Sequence, residues 1–154
     1  MVKLYIGGKK IYSVDLMFAY VNIFKPIAIK INIQDYFDSI INKKVWGNPK
    51  KNIYYSPQDV LNNPMKYKED YERIMNAKLT YPIIITKNNV VIDGVHRIVK
   101  ASYLNKKQIK AYVFDNTLLN NFLLDKNKNF KKIDKLTTTD LIILFNQRFK
   151  CSKV

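Results

Sequence analysis

The chain has little cysteine, histidine or glycine, and each shortage excludes a class of protein. Its 154 residues include one cysteine, Cys151, and one histidine, His96. A single cysteine excludes an internal disulfide framework and favours a reducing compartment. One cysteine and one histidine far apart in the sequence cannot supply the ligands of an ordinary zinc site. The four glycines do not form the glycine-rich Walker pattern, and none flanks a serine in the elbow typical of serine hydrolases.

Long apolar runs are also absent from the sequence. No stretch of about 18 apolar residues occurs, and the N-terminus lacks an uninterrupted hydrophobic signal segment. Hydrophobic residues nevertheless make up 47% of the chain and charged residues 25%, which is ordinary for a globular protein. We therefore expect a folded protein without a membrane partner, located inside the cell, in the cytoplasm or associated with DNA.

Positive charge is abundant, but arginine is scarce. The formal net charge is +15, which indicates attraction to phosphates and makes non-sequence-specific nucleic acid a candidate partner. Lysines scattered along a chain attract phosphates without reading bases. A genome with A/T-rich codons would also produce the abundant lysine, asparagine, isoleucine and tyrosine of this chain without any selection for binding, so both explanations stay open. The only arginines are Arg73, Arg97 and Arg148.

The most informative stretch of the sequence is a predicted hairpin followed by a predicted helix. Two β-branched runs, Ile83–Thr86 and residues 90–92, flank the Lys-Asn-Asn of residues 87–89. Asparagine tolerates the positive φ that tight hairpin turns require. From Val95 onwards, apolar residues recur at the spacing of a helix with one buried face. We therefore predict that Gly94 lies at a strand-to-helix turn.

The start of this helix is predicted to bind phosphate. Free backbone N–H groups and the positive end of the helix dipole favour an anion there, and Gly94 lets that anion approach the main chain closely. The Arg97 guanidinium can hold two phosphate oxygens, His96 can donate a hydrogen bond or move a proton, and Lys100 can add charge at the rim. The predicted phosphate-binding residues are Gly94, Val95, His96, Arg97 and Lys100, and the catalytic candidates are Asp93, His96 and Arg97.

Asp93 needs a separate explanation, because a carboxylate repels phosphate. It can cap the helix by accepting from the N–H groups of Val95 or His96, or it can ligate a Mg²⁺ ion that the phosphates share. A simpler alternative also stays open for this stretch. In that alternative Asp93 and Gly94 form only a cap and turn, and His96 and Arg97 are ordinary exposed residues.

Four consecutive features are informative together: the hairpin, the Asp-Gly-Val-His-Arg run of residues 93–97, the helix containing Lys100 and the returning strand Gln108–Phe114. Their order and sequence resemble the ParB/sulfiredoxin superfamily. The Tyr-Pro-Ile-Ile-Ile run of residues 81–85 also looks like the Pro-Ile-x-Val strand of that family. The resemblance covers residues 56–114. It implies a small α+β domain whose nucleotide phosphates lie on the loop and helix start that match residues 94–97.

The chain departs from two branches of this superfamily. Sulfiredoxin has a nucleophilic cysteine where this chain has Val95, so that chemistry is not available. The partition proteins have Gly-Glu-Arg-Arg where residues 94–97 read Gly-Val-His-Arg, and no helix-turn-helix follows in this sequence. The sequence of residues 93–97 is most similar to the Asp-Gly-x-His-Arg motif of the kinase-like branch. The resemblance therefore implies ATP or another nucleoside triphosphate as ligand, with Mg²⁺ as a candidate cofactor and phosphoryl transfer or hydrolysis as the reaction.

The resemblance implies an α+β fold, with a small mixed β-sheet and flanking helices like those of the ParB/sulfiredoxin superfamily. We predict one domain over residues 1–124, with the motif region at 56–114, a linker at 125–136 and a C-terminal helix at 137–154. The apolar face of that helix either folds back onto the domain, which we favour because one small domain is short of core, or makes a homo-oligomer.

Individual elements follow from local signals. Glycines in the turn predict a first hairpin over residues 3–14. Asp15 is the predicted N-cap of a helix over 16–24, which is apolar nearly all round and is therefore expected to be buried. We also predict a strand over 27–33, a helical segment over 34–46 and a helix over 115–124. One more helix is predicted to be capped by Ser56, with Pro57 at its first position and Asp59 at its third. The stripe of one further helix comprises Tyr67, Tyr71, Ile74 and Met75.

Three function hypotheses from different classes result. The leading one is an NTP-binding enzyme that transfers or hydrolyses phosphate at residues 94–97. The second is a DNA- or RNA-binding module that uses the basic surface. The third is a non-catalytic interaction protein that acts through its last helix. The simpler role of Trp46 is to plug the end of the core, and the alternative is that it stacks on a nucleotide base. Glu69 and Glu72 lie on a mixed-charge helix face that is typical of solvated surface, and they are general bases only if their helix borders the phosphate site.

Overall fold

A computed structural model describes residues 3–124, 133 and 135–149 of the chain. Within these ranges the fold is α+β, with small sheets and flanking helices, which confirms the predicted class. Most of the predicted linker lies outside the described residues, and so does Cys151. The chain divides into two compact units. The first unit comprises Met1–Ile27, Thr86–Asp93 and Phe114–Val154, and the second comprises Ala28–Ile85 and Gly94–Val113.

The strands and helices are numbered in chain order. The strands are β1 (Leu4–Gly7), β2 (Lys10–Ser13), β3 (Ile29–Asn32), β4 (Trp46–Asn48), β5 (Ile53–Tyr55), β6 (Ile83–Thr86), β7 (Val91–Asp93), β8 (Gln108–Phe114) and β9 (Leu123–Leu124). The α-helices are α1 (Val14–Phe24), α2 (Pro57–Asn62), α3 (Lys68–Asn76), α4 (Val95–Tyr103), α5 (Asn116–Asn120) and α6 (Thr138–Phe149).

The first unit contains the predicted N-terminal hairpin. Strands β1 and β2 are antiparallel, with Tyr5 opposite Tyr12, and β9 pairs antiparallel with the other edge of β2. Helix α6 packs against α1 through aromatic rings, since the ring of Phe145 lies 6.4 Å from that of Phe24 and the ring of Phe149 lies 5.4 Å from that of Tyr20. Docking of α6 on another subunit stays a prediction.

Three predictions for the first unit are wrong in detail. The N-cap of α1 is Ser13, whose hydroxyl accepts from the backbone N–H of Leu16, whereas Asp15 accepts from the backbone N–H of Lys3 at 2.8 Å. The helix is not buried all round, because Ile23 is 58% exposed. The helix predicted over 115–124 ends at Asn120, because the next two residues form a turn and Leu123 and Leu124 then pair with β2.

The second unit contains a sheet in which β3, β8 and β6 lie in that order. Strand β8 has the predicted bounds, and it pairs antiparallel with β3 so that Ile29 faces Ala111. Strands β4 and β5 form a separate hairpin around the 3₁₀ turn Pro49–Lys51. A buried cluster of Val60, Ile74 and Val99 forms one part of its core. The predicted stripe of α3 packs on this cluster, with Tyr67, Tyr71 and Met75 around it.

The helical segment predicted over residues 34–46 forms only as far as Ile41, and it is not an α-helix. The chain forms a 3₁₀ helix over Ile33–Tyr36 and a π-helix over Phe37–Ile41, and Trp46 begins β4. The buried side chains are Ile33, Tyr36 and Ile41, so their spacings are three and five residues. Those spacings match i→i+3 and i→i+5 hydrogen bonding and not the 3.6-residue repeat of an α-helix.

The capping box predicted at Ser56 is confirmed. The Ser56 hydroxyl accepts from the backbone N–H of Asp59 at 3.1 Å, and the Asp59 carboxylate accepts from the backbone N–H of Ser56 at 2.8 Å. These hydrogen bonds lower the pKa of Asp59. Pro57 occupies the first turn of α2, as predicted, where its missing N–H costs nothing.

Candidate functional site

The hairpin turn before the motif forms as predicted. In the first unit, the backbone N–H of Thr86 donates to the carbonyl of Val90 at 2.8 Å, and the N–H of Asn89 donates to the carbonyl of Thr86 at 3.0 Å. Asn89 has a φ of 63°, the left-handed conformation that asparagine tolerates better than most residues. These hydrogen bonds form the turn between the end of β6 and the start of β7, and β7 leads directly into residues 93–97.

Gly94 lies between β7 and α4, which confirms the predicted strand-to-helix turn. Its carbonyl accepts from the backbone N–H groups of Arg97 at 3.0 Å and Ile98 at 3.1 Å, so it is the N-cap of α4. Its φ is +116°, and a Cβ added there would overlap Ile83 Cγ2 and lie 2.7 Å from Ile83 Cβ. Only glycine fits this position, because any side chain meets both backbone strain and a buried isoleucine.

Arg97 is fixed against the backbone of the segment that leads into β6. Its Nη1 donates to the carbonyl oxygen of Tyr81 at 3.0 Å and to that of Pro82 at 2.9 Å. Its Nη2 would lie 3.2 Å from a Cβ on Gly94. Because the guanidinium is a rigid plane, these contacts fix the whole cationic group beside the start of α4. The structure thus holds Arg97 beside Gly94, as the sequence predicted, through carbonyls that the sequence did not reveal.

His96 occupies the second position of α4 and packs on Trp46. The two ring centroids are 5.3 Å apart and the rings are tilted by 34°. Trp46 also packs against the buried cluster of Val60, Ile74 and Val99, so it has the structural role that we predicted as the simpler alternative. The indole of Trp46 is half-buried and limits the positions that the imidazole of His96 can adopt. The structure therefore places Gly94, His96 and Arg97 together at one helix start within the second unit.

Lys100 has a different role from the predicted one. Its ammonium donates to the carbonyl oxygens of Met75 at 2.6 Å and Ala77 at 2.7 Å. These carbonyls lie at the C-terminal end of α3, where a cation complements the helix dipole. We therefore do not retain Lys100 in the candidate phosphate site. No pattern of residues indicated this contact, because the partners lie more than twenty residues away in the chain.

Asp93 is buried, and in the first unit it forms an ion pair. Its Oδ1 lies 2.5 Å from the Nζ of Lys3, and Asp93 is 7% exposed. Lys3 Nζ also lies 5.1 Å from the centre of the Phe18 ring. Burial makes a carboxylate costly without a partner, and Lys3 supplies that partner. Sequence reasoning missed Lys3, since nothing in the pattern of residues connects the two positions.

A magnesium site at Asp93 does not fit the residues present. A positively charged ammonium already lies against the carboxylate oxygen that would bind the metal. Among the residues that the structure describes, no group of three or more His, Cys, Asp or Glu side chains is arranged to hold a metal ion. Mg²⁺ prefers several oxygen ligands. We therefore derive no chemical step through Mg²⁺.

The two candidate general bases on α3 belong to a solvated helix face. Glu69 Oε1 accepts from Arg73 Nη2 at 2.8 Å, and Glu72 lies 4.0 Å from the Nζ of Lys68. Glu69 is 82% exposed and Glu72 is 59% exposed. Exposed pairs of this kind contribute little to stability, and both carboxylates face solvent on the charged side of their helix. Neither residue is retained as a general base.

Comparison of the chain with models of protein families, with curated proteins and with solved structures finds no match. Assignment to the ParB/sulfiredoxin superfamily therefore stays a prediction. In the part of the chain covered by the structure, no helix combines the length and the apolar character needed to cross a bilayer.

Proposed function

We propose that this chain binds a nucleoside triphosphate, with its phosphates at residues 94–97, and that it transfers or hydrolyses the terminal phosphoryl group. The proposal rests on the resemblance of this stretch to the ParB/sulfiredoxin superfamily and on the geometry at the start of α4. ATP is the leading candidate ligand.

The position of the Arg97 guanidinium carries the proposal. It lies beside Gly94, at the end of α4 where the helix dipole already contributes roughly half a positive charge. Two positive groups at one place repel each other. An anion bound there would stabilise both groups at once. A triphosphate is the anion that the sequence resemblance implies.

Each residue of the site has a distinct part in the proposal. Gly94 adopts the positive φ that starts α4 and leaves room for Ile83, and the first-turn N–H groups that follow it are the proposed donors to phosphate oxygens. Arg97 neutralises charge that grows on the terminal phosphoryl oxygens during transfer. His96, held beside Trp46, donates a hydrogen bond or moves a proton. Positioning and charge neutralisation would supply most of the catalysis, as in other phosphoryl transfers.

A thermal-shift panel with ATP, ADP, CTP, GTP and polyphosphate, each with and without Mg²⁺, tests nucleotide binding. At 100 to 1,000 times its dissociation constant, a bound nucleotide is expected to raise the free energy of unfolding by about 2.7 to 4.1 kcal/mol. Release of inorganic phosphate from the stabilising nucleotide is then measured to detect turnover. Adenosine, which lacks phosphates, is the matched control and is expected to give no shift.

Two results would contradict the proposal. One is a panel in which no nucleotide changes the melting temperature. The other is an equal shift from polyphosphate and from every nucleotide, because that pattern would indicate general attraction of anions to a chain of net charge +15. A nucleotide that stabilises the fold without releasing phosphate would restrict the function to binding.

A further inference from the structure

The second unit contains a further candidate site, on residues that the proposed phosphate site does not use. A surface cleft of about 410 Å³ opens beside the β4–β5 hairpin and the end of α2. Its lining is polar and aromatic rather than aliphatic, and this composition suits a ligand with flat rings and hydrogen-bonding edges. The residues that line it include Lys44, Tyr54, Tyr55, Asn62, Asn63 and Tyr67.

The aromatic side chains of this cleft have two different environments, one packed and one exposed. Tyr55 and Tyr67 pack together with ring centroids 4.3 Å apart, and the Tyr55 hydroxyl donates to Asp70 at 2.5 Å. That hydrogen bond, with burial, raises the pKa of Tyr55 to about 12, so its ring stays neutral. Tyr54, in contrast, is 51% exposed. The cleft therefore has one fixed aromatic wall and one exposed ring.

The strand opposite Tyr54 leaves space around this exposed ring. Tyr54 is paired in register with Gly47. Gly47 has a φ of +127°, and a Cβ there would overlap the carbonyl oxygen of Ile53, so a side chain does not fit. The backbone geometry thus excludes the side chain that would otherwise lie next to Tyr54 across the hairpin. A large aromatic ring is kept exposed where burial would have been favourable.

Positive charge lies at the rim of the cleft. Lys44 lines it, and Lys66 Nζ lies 5.2 Å from the centre of the Tyr67 ring. Asp59 also lines the cleft, but its carboxylate accepts from the backbone N–H of Ser56 at 2.8 Å. A ligand phosphate would be repelled by Asp59 and attracted to the two lysines. Phosphates are therefore expected at the rim, with an uncharged ring inside.

We propose that this cleft binds one nucleotide of a single-stranded nucleic acid, with its base stacked on Tyr54 and its flanking phosphates at Lys44 and Lys66. Aromatic stacking combined with lysines that follow the backbone is how proteins bind single strands without sequence preference. A duplex does not suit the cleft, because its bases are stacked inside and cannot reach Tyr54. The amide groups of Asn62 and Asn63 can hydrogen-bond the edge of the base.

Fluorescence anisotropy with labelled oligo(U) and oligo(dT) of roughly 12 nucleotides, within the usual site sizes of single-strand binders, tests the proposal. At about 0.15 M salt, Tyr54→Ala is expected to weaken binding by about 5- to 150-fold, the loss that corresponds to one stacked base. Tyr54→Phe keeps the ring and is the matched control, so its affinity is expected to stay within about twofold of the unaltered protein. Comparison of the affinities for oligo(U) and oligo(dT) shows whether RNA or DNA is the preferred ligand.

The contribution of the lysines is tested by salt dependence. For Lys44→Gln with Lys66→Gln, the slope of log affinity against log salt is expected to fall by about 1.4, since each single-strand phosphate contact contributes about 0.7. Lys30→Gln with Lys110→Gln removes the same charge from exposed positions that face each other on β3 and β8. That control pair is expected to leave the slope unchanged.

Several results would overturn the proposal. These are no binding of either oligonucleotide, equal affinities for Tyr54→Ala and Tyr54→Phe, preference for a duplex of the same length, or equal binding of polyglutamate, which carries charge without bases. Arg97→Ala is expected to leave oligonucleotide affinity unchanged, because Arg97 contributes nothing to the cleft lining. Failure at this cleft and failure of the triphosphate site are thereby measured separately.

Discussion

Gly94→Ala is expected to lower the free energy of unfolding by at least about 2 kcal/mol, because two independent costs add. A non-glycine residue in a sparsely populated positive-φ conformation costs roughly 1 to 3 kcal/mol. The new methyl group would also overlap Ile83, whose side chain is buried in the core, and such overpacking costs typically about 1 to 3 kcal/mol. Urea unfolding measured by circular dichroism gives the difference directly.

Gly8→Ala is the matched control for this prediction. Gly8 also has a positive φ, of 61°, but a Cβ there meets nothing within 4 Å. It therefore carries the backbone cost alone, about 1 to 2 kcal/mol. If Gly94→Ala and Gly8→Ala destabilise the protein equally, the close contact with Ile83 is not a constraint on the start of α4. Steric exclusion by Ile83 would then not explain why glycine occupies the candidate site.

Arg97→Ala is expected to weaken binding of the stabilising nucleotide by at least about 30-fold, which corresponds to about 2 kcal/mol. Hydrogen bonds to charged groups contribute roughly 1.5 to 3 kcal/mol each, and a guanidinium can make two to one phosphate. Isothermal titration calorimetry of the variant and of the unaltered protein measures the difference. Arg97→Lys keeps the charge but loses the planar fork, so its affinity is expected to lie between the two.

Arg73→Ala is the control for loss of charge. Arg73 is 60% exposed and pairs with Glu69 on the same face of α3, so its removal changes net charge by the same amount without touching the site. Its nucleotide affinity is expected to stay within about twofold of the unaltered protein. Arg97→Ala also removes the hydrogen bonds to Tyr81 and Pro82. Titrations are therefore made well below the melting temperature of the variant, and unchanged affinity there would refute the assignment.

Local sequence signals predicted the elements whose hydrogen bonds close within a few residues. The capping box of Ser56 and Asp59, the turn at Asn89 and the glycine before α4 all formed as predicted. Each of these features depends on side-chain and backbone groups no more than four residues apart. Such interactions are set by residue type and spacing, which is why a sequence read without its fold can predict them.

The contacts that Asp93 and Lys100 make in the structure are with residues distant in the sequence. Lys3 lies 90 residues before Asp93, and the carbonyls bound by Lys100 lie 23 and 25 residues before it. Neither contact leaves a periodic trace in the sequence. Both change what the candidate site contains, since one occupies the predicted metal ligand and the other removes a predicted phosphate ligand.

The sequence alone determined that the chain turns at Gly94 and that His96 and Arg97 lie in the first turn of the helix that follows, because backbone φ and helical spacing are local properties. Only the tertiary structure decided where those side chains are held. The carbonyls of Tyr81 and Pro82 fix the guanidinium, and the indole of Trp46 lies against the imidazole. The physical reason is that a side chain adopts the position in which its polar groups are satisfied, and folding brings those partners from distant parts of the chain.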